Sequence, residues 1–126
     1  MPYFYFIDKE HRVVFSTGAG VLTREDLVAN EDKLLKDPDF DPTFSQIVDF
    51  TQVSQVDVKP EDILFLAERN IFSPKSHRAV IAGNDLVYGL ARMYEMIRDS
   101  KGETEVRVFR DRDEAIAWAL ASGEKD

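Results

Sequence analysis

Two aspartates, Asp49 and Asp57, are the best candidates for chemistry in this chain, because they flank a polar run beside an apolar segment. Ile47 and Val48 predict a buried strand that ends at Asp49, and Asp57 stands just before a helix that begins at Pro60. In open α/β sheets, ligand and partner sites gather at the carboxyl ends of strands. Paired carboxylates at such an edge suit general acid–base catalysis. The alternative, which we favour, is that Asp49 accepts loop amides and Asp57 caps the following helix.

Other residues with chemical potential lack the partners that known sites require. The acidic turn 37–42 opens like a calcium loop, but Pro42 stands where the sixth residue must be glycine. The segment 17–20 lacks the third glycine and the lysine of a phosphate-binding loop. His11 and His77 are not spaced as a metal pair, and no serine lies in a nucleophile-elbow pattern. We therefore expect no enzyme activity, no cofactor and no metal.

Composition narrows the class of protein further. The 126 residues fit one domain, and the hydrophobic share of 44% is sufficient for a core. The net charge of −8 disfavours a nucleic-acid partner and an anionic membrane. The absence of cysteine excludes disulfides and thiolate sites. No apolar run approaches the roughly 18 residues of a membrane span, and the N-terminus lacks a signal-peptide pattern, so we expect a cytoplasmic protein without membrane insertion.

Hydrophobic patterning predicts alternating strands and helices. An aromatic run and the β-prone run after it predict an antiparallel hairpin, which Gly18 and Gly20 close. A continuous apolar run at 79–82 predicts a strand that is buried on both faces. The strands are predicted around residues 3–8, 12–16, 47–49, 79–82 and 106–108. Helix starts are predicted at Thr23, Pro60, Asn84 or Asp85, and Asp111.

This order of elements predicts an α/β fold. Strand–helix alternation in the second half of the chain requires right-handed crossovers and a mainly parallel sheet. The opening hairpin makes that sheet mixed. We therefore predict a single α/β domain over residues 1–121, with a mixed, mainly parallel sheet flanked by about four helices. Residues 122–126 are predicted to form a polar tail.

A resemblance to a known family supports this architecture. The segment 48–57, VDFTQVSQVD, resembles the signature of STAS domains, the superfamily of the SpoIIAA-type anti-sigma factor antagonists. The segment 108–120 is similar to the last strand and helix of the SpoIIAA-like (STAS/SEC14) bacterial group. The segment 86–94 resembles a helix of uncharacterised bacterial proteins of this kind. The resemblance covers most of the chain and implies a non-enzymatic module that binds a protein partner.

The chain departs from that family at the family's regulatory residue. In the anti-sigma antagonists, a phosphorylated serine follows the second aspartate. The matching positions here are occupied by Val58, Lys59 and Pro60, none of which has a hydroxyl. The resemblance therefore implies that the usual phosphorylation switch is absent. Thr51 and Ser54 lie nearby as substitutes, although we expect their hydroxyls only to close turn hydrogen bonds.

A glycine within the third predicted helix, Gly89, is the remaining unusual feature. Glycine inside a helix costs about 1 kcal/mol relative to alanine, so a packing reason is expected. We favour close approach of this helix to the sheet. The functional alternative is close approach to a ligand or to a second subunit, and Tyr88 and Arg92 would line that surface. A homodimer therefore stays open.

Two functions from different classes remain. The favoured one is a regulatory or protein-interaction module that acts through the strand-to-helix edge. The alternative is a small carrier or sensor that holds an apolar, lipid-like ligand between a helix and the sheet, as the related SEC14 fold does with lipids. A cavity between helix and sheet would favour the carrier over the interaction module. The candidate interaction residues are Asp49, Thr51, Ser54, Asp57, Tyr88 and Arg92.

Overall fold

The computed structural model describes residues 3–69 and 71–123. One five-stranded sheet has the strand order β1-β2-β3-β4-β5, with β1 antiparallel to β2 and the other pairs parallel. The predicted α/β class, the mixed sheet and the opening hairpin are thereby confirmed. The elements are β1 (Tyr3–Asp8), β2 (Val13–Thr23), α1 (Arg24–Leu35), β3 (Ser45–Asp57), α2 (Pro60–Glu68), β4 (Arg78–Ala82), α3 (Asp85–Ser100), β5 (Val106–Phe109) and α4 (Arg112–Gly123).

Helices cover both faces of the sheet. Successive strand residues point to opposite sides, so each face has apolar residues that a helix layer must bury. On one face α4 packs against the central strands, and its fully buried Ala115 and Ala119 lie one turn apart on the helix. The other face is covered by α1, α2 and α3. Its buried residues form two clusters, Val14, Leu34, Phe44 and Phe72 in one and Leu22, Val53, Ala82 and Val87 in the other.

Strands β2 and β3 are longer than the sequence patterning predicts. β2 continues through Gly18 and Gly20, and it pairs with β3 along nearly its whole length. The expected polar turn after Asp49 is therefore wrong, because residues 51–57 belong to the same strand as Asp49. The expected hairpin closure at the two glycines is wrong for the same reason.

Two irregularities in the register explain why the sequence pattern did not predict the full length of these strands. The β2–β3 pairing shifts between Thr17 and Ala19 and again between Gly20 and Val21, so β3 holds extra residues. Phe50, Val53 and Val56 then pack in one cluster at intervals of three residues, which is neither the strand period nor the helix period. Gly18 is required here, because a Cβ atom would lie 2.8 Å from the Phe50 ring.

Helix α2 begins at Pro60, as predicted, but its cap is not the expected one. The residue before the helix is Lys59, and its N–H donates to Asp62 Oδ2 at 2.9 Å. The expected cap by Asp57 is wrong, since Asp57 is the exposed last residue of β3. Helix α2 packs chiefly against α3.

The third and fourth helices also revise two expectations. Gly89 lies in α3 at an exposed position, and a Cβ atom there would meet nothing within 4 Å. Gly89 therefore does not lie where α3 contacts the sheet, and the packing reason that we favoured for this glycine is wrong. Helix α4 runs to Gly123, two residues into the predicted tail, and 124–126 lie outside the described residues. No helix within the described ranges is both long and apolar enough to cross a membrane.

Candidate functional site

The predicted corner at Asp49 is closed by internal contacts. Asp49 Oδ1 accepts hydrogen bonds from the Thr51 N–H at 2.8 Å and from the Thr51 hydroxyl at 2.6 Å. Its other oxygen accepts from Arg112 Nη1 at 2.7 Å. Gly83, the residue after β4, lies close against the corner, since a Cβ atom there would lie 2.8 Å from the Thr51 backbone. The Asp49 carboxylate therefore already has three donors, and the expected internal bond of the Thr51 hydroxyl is observed.

The second aspartate does not join this corner. Asp57 lies eight positions further along the same strand as Asp49. Because β3 holds two extra residues, this interval matches only six residues of β2, from Thr17 to Thr23, so at about 3.3 Å per strand residue the two aspartates stand roughly 20 Å apart. Acid–base catalysis by the pair is thereby excluded. Ser54 lies exposed between them, at the second register shift, and its modification stays a prediction.

Tyr88 and Arg92 of α3 make contacts within the protein. The guanidinium of Arg110 lies over the Tyr88 ring, with 4.0 Å between the guanidinium carbon and the ring centroid. Arg92 Nη1 donates to Glu95 Oε2 at 2.6 Å. Tyr88 packs in the cluster beneath α3, whereas Asp49 pairs with α4 on the opposite face. The predicted candidates are therefore distributed over two faces and do not form one site.

A cavity between the sheet and helices α1, α2 and α3 is the main concave feature of this face. Its volume is about 120 Å³, and it is partly open to solvent. Val48, Val80 and Val106 line it from the sheet, and Ile63 and Leu66 line it from α2. The remaining walls are mostly apolar as well. The polar residues at its lining are Tyr3, Asn30, Glu31, Gln46, Arg78 and Tyr94.

Arg78, the first residue of β4, is the most unusual polar group in this lining. Only 8% of the surface of Arg78 is exposed to solvent. Arg78 Nη2 donates to the Tyr94 hydroxyl at 2.8 Å, and Nε donates to Gln46 Oε1 at 3.4 Å. Nη1 is buried, and no described residue accepts a hydrogen bond from it. The guanidinium lies 4.8 Å from the centroid of the Phe72 ring.

The lining also contains a carboxyl group, Glu31 of α1. Burial raises the pKa of Glu31, and the nearby Arg69 and Arg78 oppose that shift. Arg69 is its direct partner, with 2.7 Å between Nε and Glu31 Oε1. Glu31 makes no ion pair with Arg78, and Arg78 has none with any other carboxylate in the described part of the chain. Arg78 therefore carries a buried positive charge without a direct counter-ion.

Arg78 was not among the residues predicted for the site, although a ligand between a helix and the sheet was the alternative function. One signal was available, because an arginine directly precedes the apolar run 79–82 that predicts a fully buried strand. Arginine is almost never fully buried unless it is paired. A charged residue at the start of such a strand therefore indicates an internal polar site. Its partners come from β3 and α3, and no local pattern predicts them.

Comparison with solved structures identifies the fold. The chain is similar to the crystal structure of an uncharacterised protein of the DUF3478 family, with a SpoIIAA-like fold, from Shewanella loihica PV-4. The TM-score is 0.55, the identity is 19%, and the alignment covers 85% of this chain and 83% of the other. The chain therefore has the SpoIIAA-like fold that the resemblance implied. No protein-family model matches the chain, and no curated protein matches it either.

Metal ligands are not grouped in the part of the chain that the structure describes. No three histidine, aspartate or glutamate side chains there come together in a way that would hold a metal ion. The arrangement that remains is an apolar cavity with a single buried cation at its wall. Such a site is suited to binding, because it offers an apolar surface together with polar groups that fix orientation.

Proposed function

We propose that this SpoIIAA-like domain is a carrier or sensor that binds a small, mainly apolar ligand between its helices and its sheet, without catalysing a reaction. The observation that carries the proposal is the cavity of about 120 Å³ beneath α2. A cavity of about 150 Å³ is sufficient for a benzene-sized molecule. The cavity here is somewhat smaller but partly open, so an apolar body of about one aromatic ring or a short alkyl chain can extend toward the opening, which also allows entry.

The apolar character of the cavity supports this proposal. Protein interiors are normally close-packed, with few voids larger than a water molecule. Because the cavity is partly open, water can enter it, but its mostly apolar walls offer that water few hydrogen-bond partners. An apolar ligand that replaces the water would bury this apolar surface, which is favourable.

The architecture itself produces the cavity. Helix α2 packs chiefly against α3, and its apolar residues Ile63 and Leu66 line the cavity opposite residues of the sheet. On the sheet, Val80 of β4 is only half-buried, although it lies in the middle of a central strand. A central strand residue that keeps exposed surface beneath a helix layer is accessible from the cavity.

A regulatory module that binds a protein partner through the edge between Asp49 and Asp57 has less support. The Asp49 carboxylate already accepts three internal hydrogen bonds, and the two aspartates lie in one extended strand. The positions that match the family's phosphoacceptor are Val58 and Lys59. A partner at this edge would have to displace Arg112 or bind the exposed residues between the two acids.

The proposal is tested by titrating the purified protein with toluene and following the amide resonances by NMR. We expect saturable shifts at residues around the cavity. The variant Val80→Phe should abolish them, because the larger side chain occupies the same volume. Leu86→Phe is the matched control, since Leu86 is 59% exposed and does not line the cavity. Absence of saturable shifts in the wild-type protein would reject the proposed function.

A further inference from the structure

We propose that the ligand is a small carboxylic acid with an apolar body, and that its carboxylate binds Arg78. This inference rests on the proposed function, because it assigns the polar end of the ligand that the cavity holds. It derives from three observations: a buried cation without a counter-ion, a second unused donor beside it, and the size and charge of the cavity.

No described residue gives Arg78 a directly bonded counter-ion, since the nearby carboxylate of Glu31 is bonded to Arg69. Arginine stays protonated in proteins, so it cannot lose its charge when it is buried. A buried charge is costly unless it is paired and hydrogen-bonded. The bonded neighbours of Arg78 are the uncharged Gln46 and Tyr94, and Nη1 has no partner. An anion in the adjoining cavity would supply both the missing charge and the missing acceptor.

The protein treats another buried arginine differently. Arg98 of α3 is only 2% exposed, and its Nε donates to Glu103 Oε1 at 3.2 Å. A second contact joins Arg98 Nη2 to the other oxygen of the same carboxylate, and Nη1 donates to the Ala67 carbonyl. Arg98 therefore has a bidentate carboxylate of its own. Arg78 lines a cavity and has none.

Tyr94 supplies a second donor at the same place. A guanidinium can only donate, so the Tyr94 hydroxyl accepts the bond from Arg78 and keeps its own proton for another acceptor. Among the described residues no acceptor is bonded to that proton. Arg78 and Tyr94 both line the cavity. A carboxylate has two oxygens, so one can accept from Arg78 Nη1 and the other from Tyr94.

Charge and size favour a monocarboxylic acid over a phosphate. Arg78 is the sole cation among the described residues at the lining, and Glu31 adds a carboxyl group there. A dianionic phosphate would leave uncompensated negative charge in a mostly apolar space, which is costly. The volume of about 120 Å³ limits the apolar body to about that of one ring or a short chain.

The test compares benzoate with benzyl alcohol, which have the same ring but differ in the carboxylate. Both are titrated at neutral pH into the wild-type protein and into Arg78→Gln, with amide shifts as the readout. We expect benzoate to bind more tightly than benzyl alcohol in the wild-type protein. Arg78→Gln should lower the benzoate affinity by about 10- to 100-fold and leave benzyl alcohol unchanged. Arg107→Gln is the matched control, because Arg107 lies over Trp118 on the α4 face.

Two further variants keep the inference testable if Arg78→Gln does not fold. Tyr94→Phe should weaken benzoate alone, because it removes only the hydroxyl. Glu31→Gln should strengthen benzoate severalfold, since it removes the negative charge at the lining, and should leave benzyl alcohol unchanged. Benzyl alcohol binding with no preference for benzoate would overturn the inference and leave the proposed function standing. If neither compound binds, both are rejected.

Discussion

Two buried arginines, Arg98 and Arg78, show how this fold separates structure from binding. Arg98 is held by Glu103 and by a backbone carbonyl, so its charge is compensated within the chain. Arg78 is buried nearly as deeply, yet it has only uncharged partners and borders a cavity. The first arrangement connects α3 to the segment after it. The second leaves a charge that a ligand can satisfy, and this difference locates the proposed site.

The largest expected effect is on the compensated arginine. Arg98→Met should destabilise the fold by about 3–5 kcal/mol, because it leaves Glu103 buried without its partner. Urea unfolding measures this loss. The double variant Arg98→Met with Glu103→Gln should recover part of the lost stability. Equal stability of Arg98→Met and wild type would contradict the assignment of this pair as structural.

A smaller effect is expected at the Asp49 corner. Asp49→Ala removes the acceptor for Thr51 and for Arg112, so we expect a loss of about 1–2 kcal/mol in unfolding free energy. Benzoate affinity should not change, since Asp49 faces α4 on the other side of the sheet. A large loss of ligand affinity in this variant would mean that the Asp49 corner and the cavity are energetically coupled.

Gly89→Ala provides a control within α3, the helix that carries both Arg98 and Tyr94. Alanine has the higher helix propensity, and the added methyl group meets no atom within 4 Å. We therefore expect stability to rise by up to about 1 kcal/mol, with ligand binding unchanged. A thermal melt that falls clearly below wild type would indicate a contact at Gly89 that the isolated chain does not show.

The smallest change in stability is expected at Arg78 itself. Arg78→Met removes a buried charge that no described carboxylate pairs with, and it also removes two hydrogen bonds to neutral groups. These effects oppose each other, so ligand-free Arg78→Met should unfold within about 1 kcal/mol of wild type. Stabilisation by added benzoate should be lost. A loss as large as that of Arg98→Met would mean that Arg78 is compensated by structure, like Arg98.

Local signals in the sequence predicted most of the element order. The Thr23 hydroxyl accepts from the Asp26 N–H at 3.1 Å, and Asn84 accepts from the Val87 N–H at 2.9 Å, as their capping patterns indicated. These signals succeed because caps depend on residues within one turn. The lengths of β2 and β3 could not be predicted in this way, because register shifts against a neighbouring strand set the spacing of Val53 and Val56.

The candidate site was harder to predict than the fold. Asp49 and Asp57 flank a conspicuous polar run, but whether that run turns or extends depends on pairing with β2. Arg78 is the first residue of β4, and its partners Gln46 of β3 and Tyr94 of α3 are distant from it in the sequence. The absence of a counter-ion is a property of the whole packed structure. The residue types in a sequence indicate which side chains could bind a ligand. Only the folded structure shows which of them, such as Arg78, is buried without a charged partner.

The most direct test of the central claim is native mass spectrometry of the freshly purified protein beside Val80→Phe and Leu86→Phe. If the cavity holds a ligand, we expect a reproducible extra mass on the wild-type chain and on Leu86→Phe, and its loss in Val80→Phe. Fragmentation of the released species should identify a small organic acid. A bare chain in all three proteins, with no mass added after incubation with benzoate, would contradict the account.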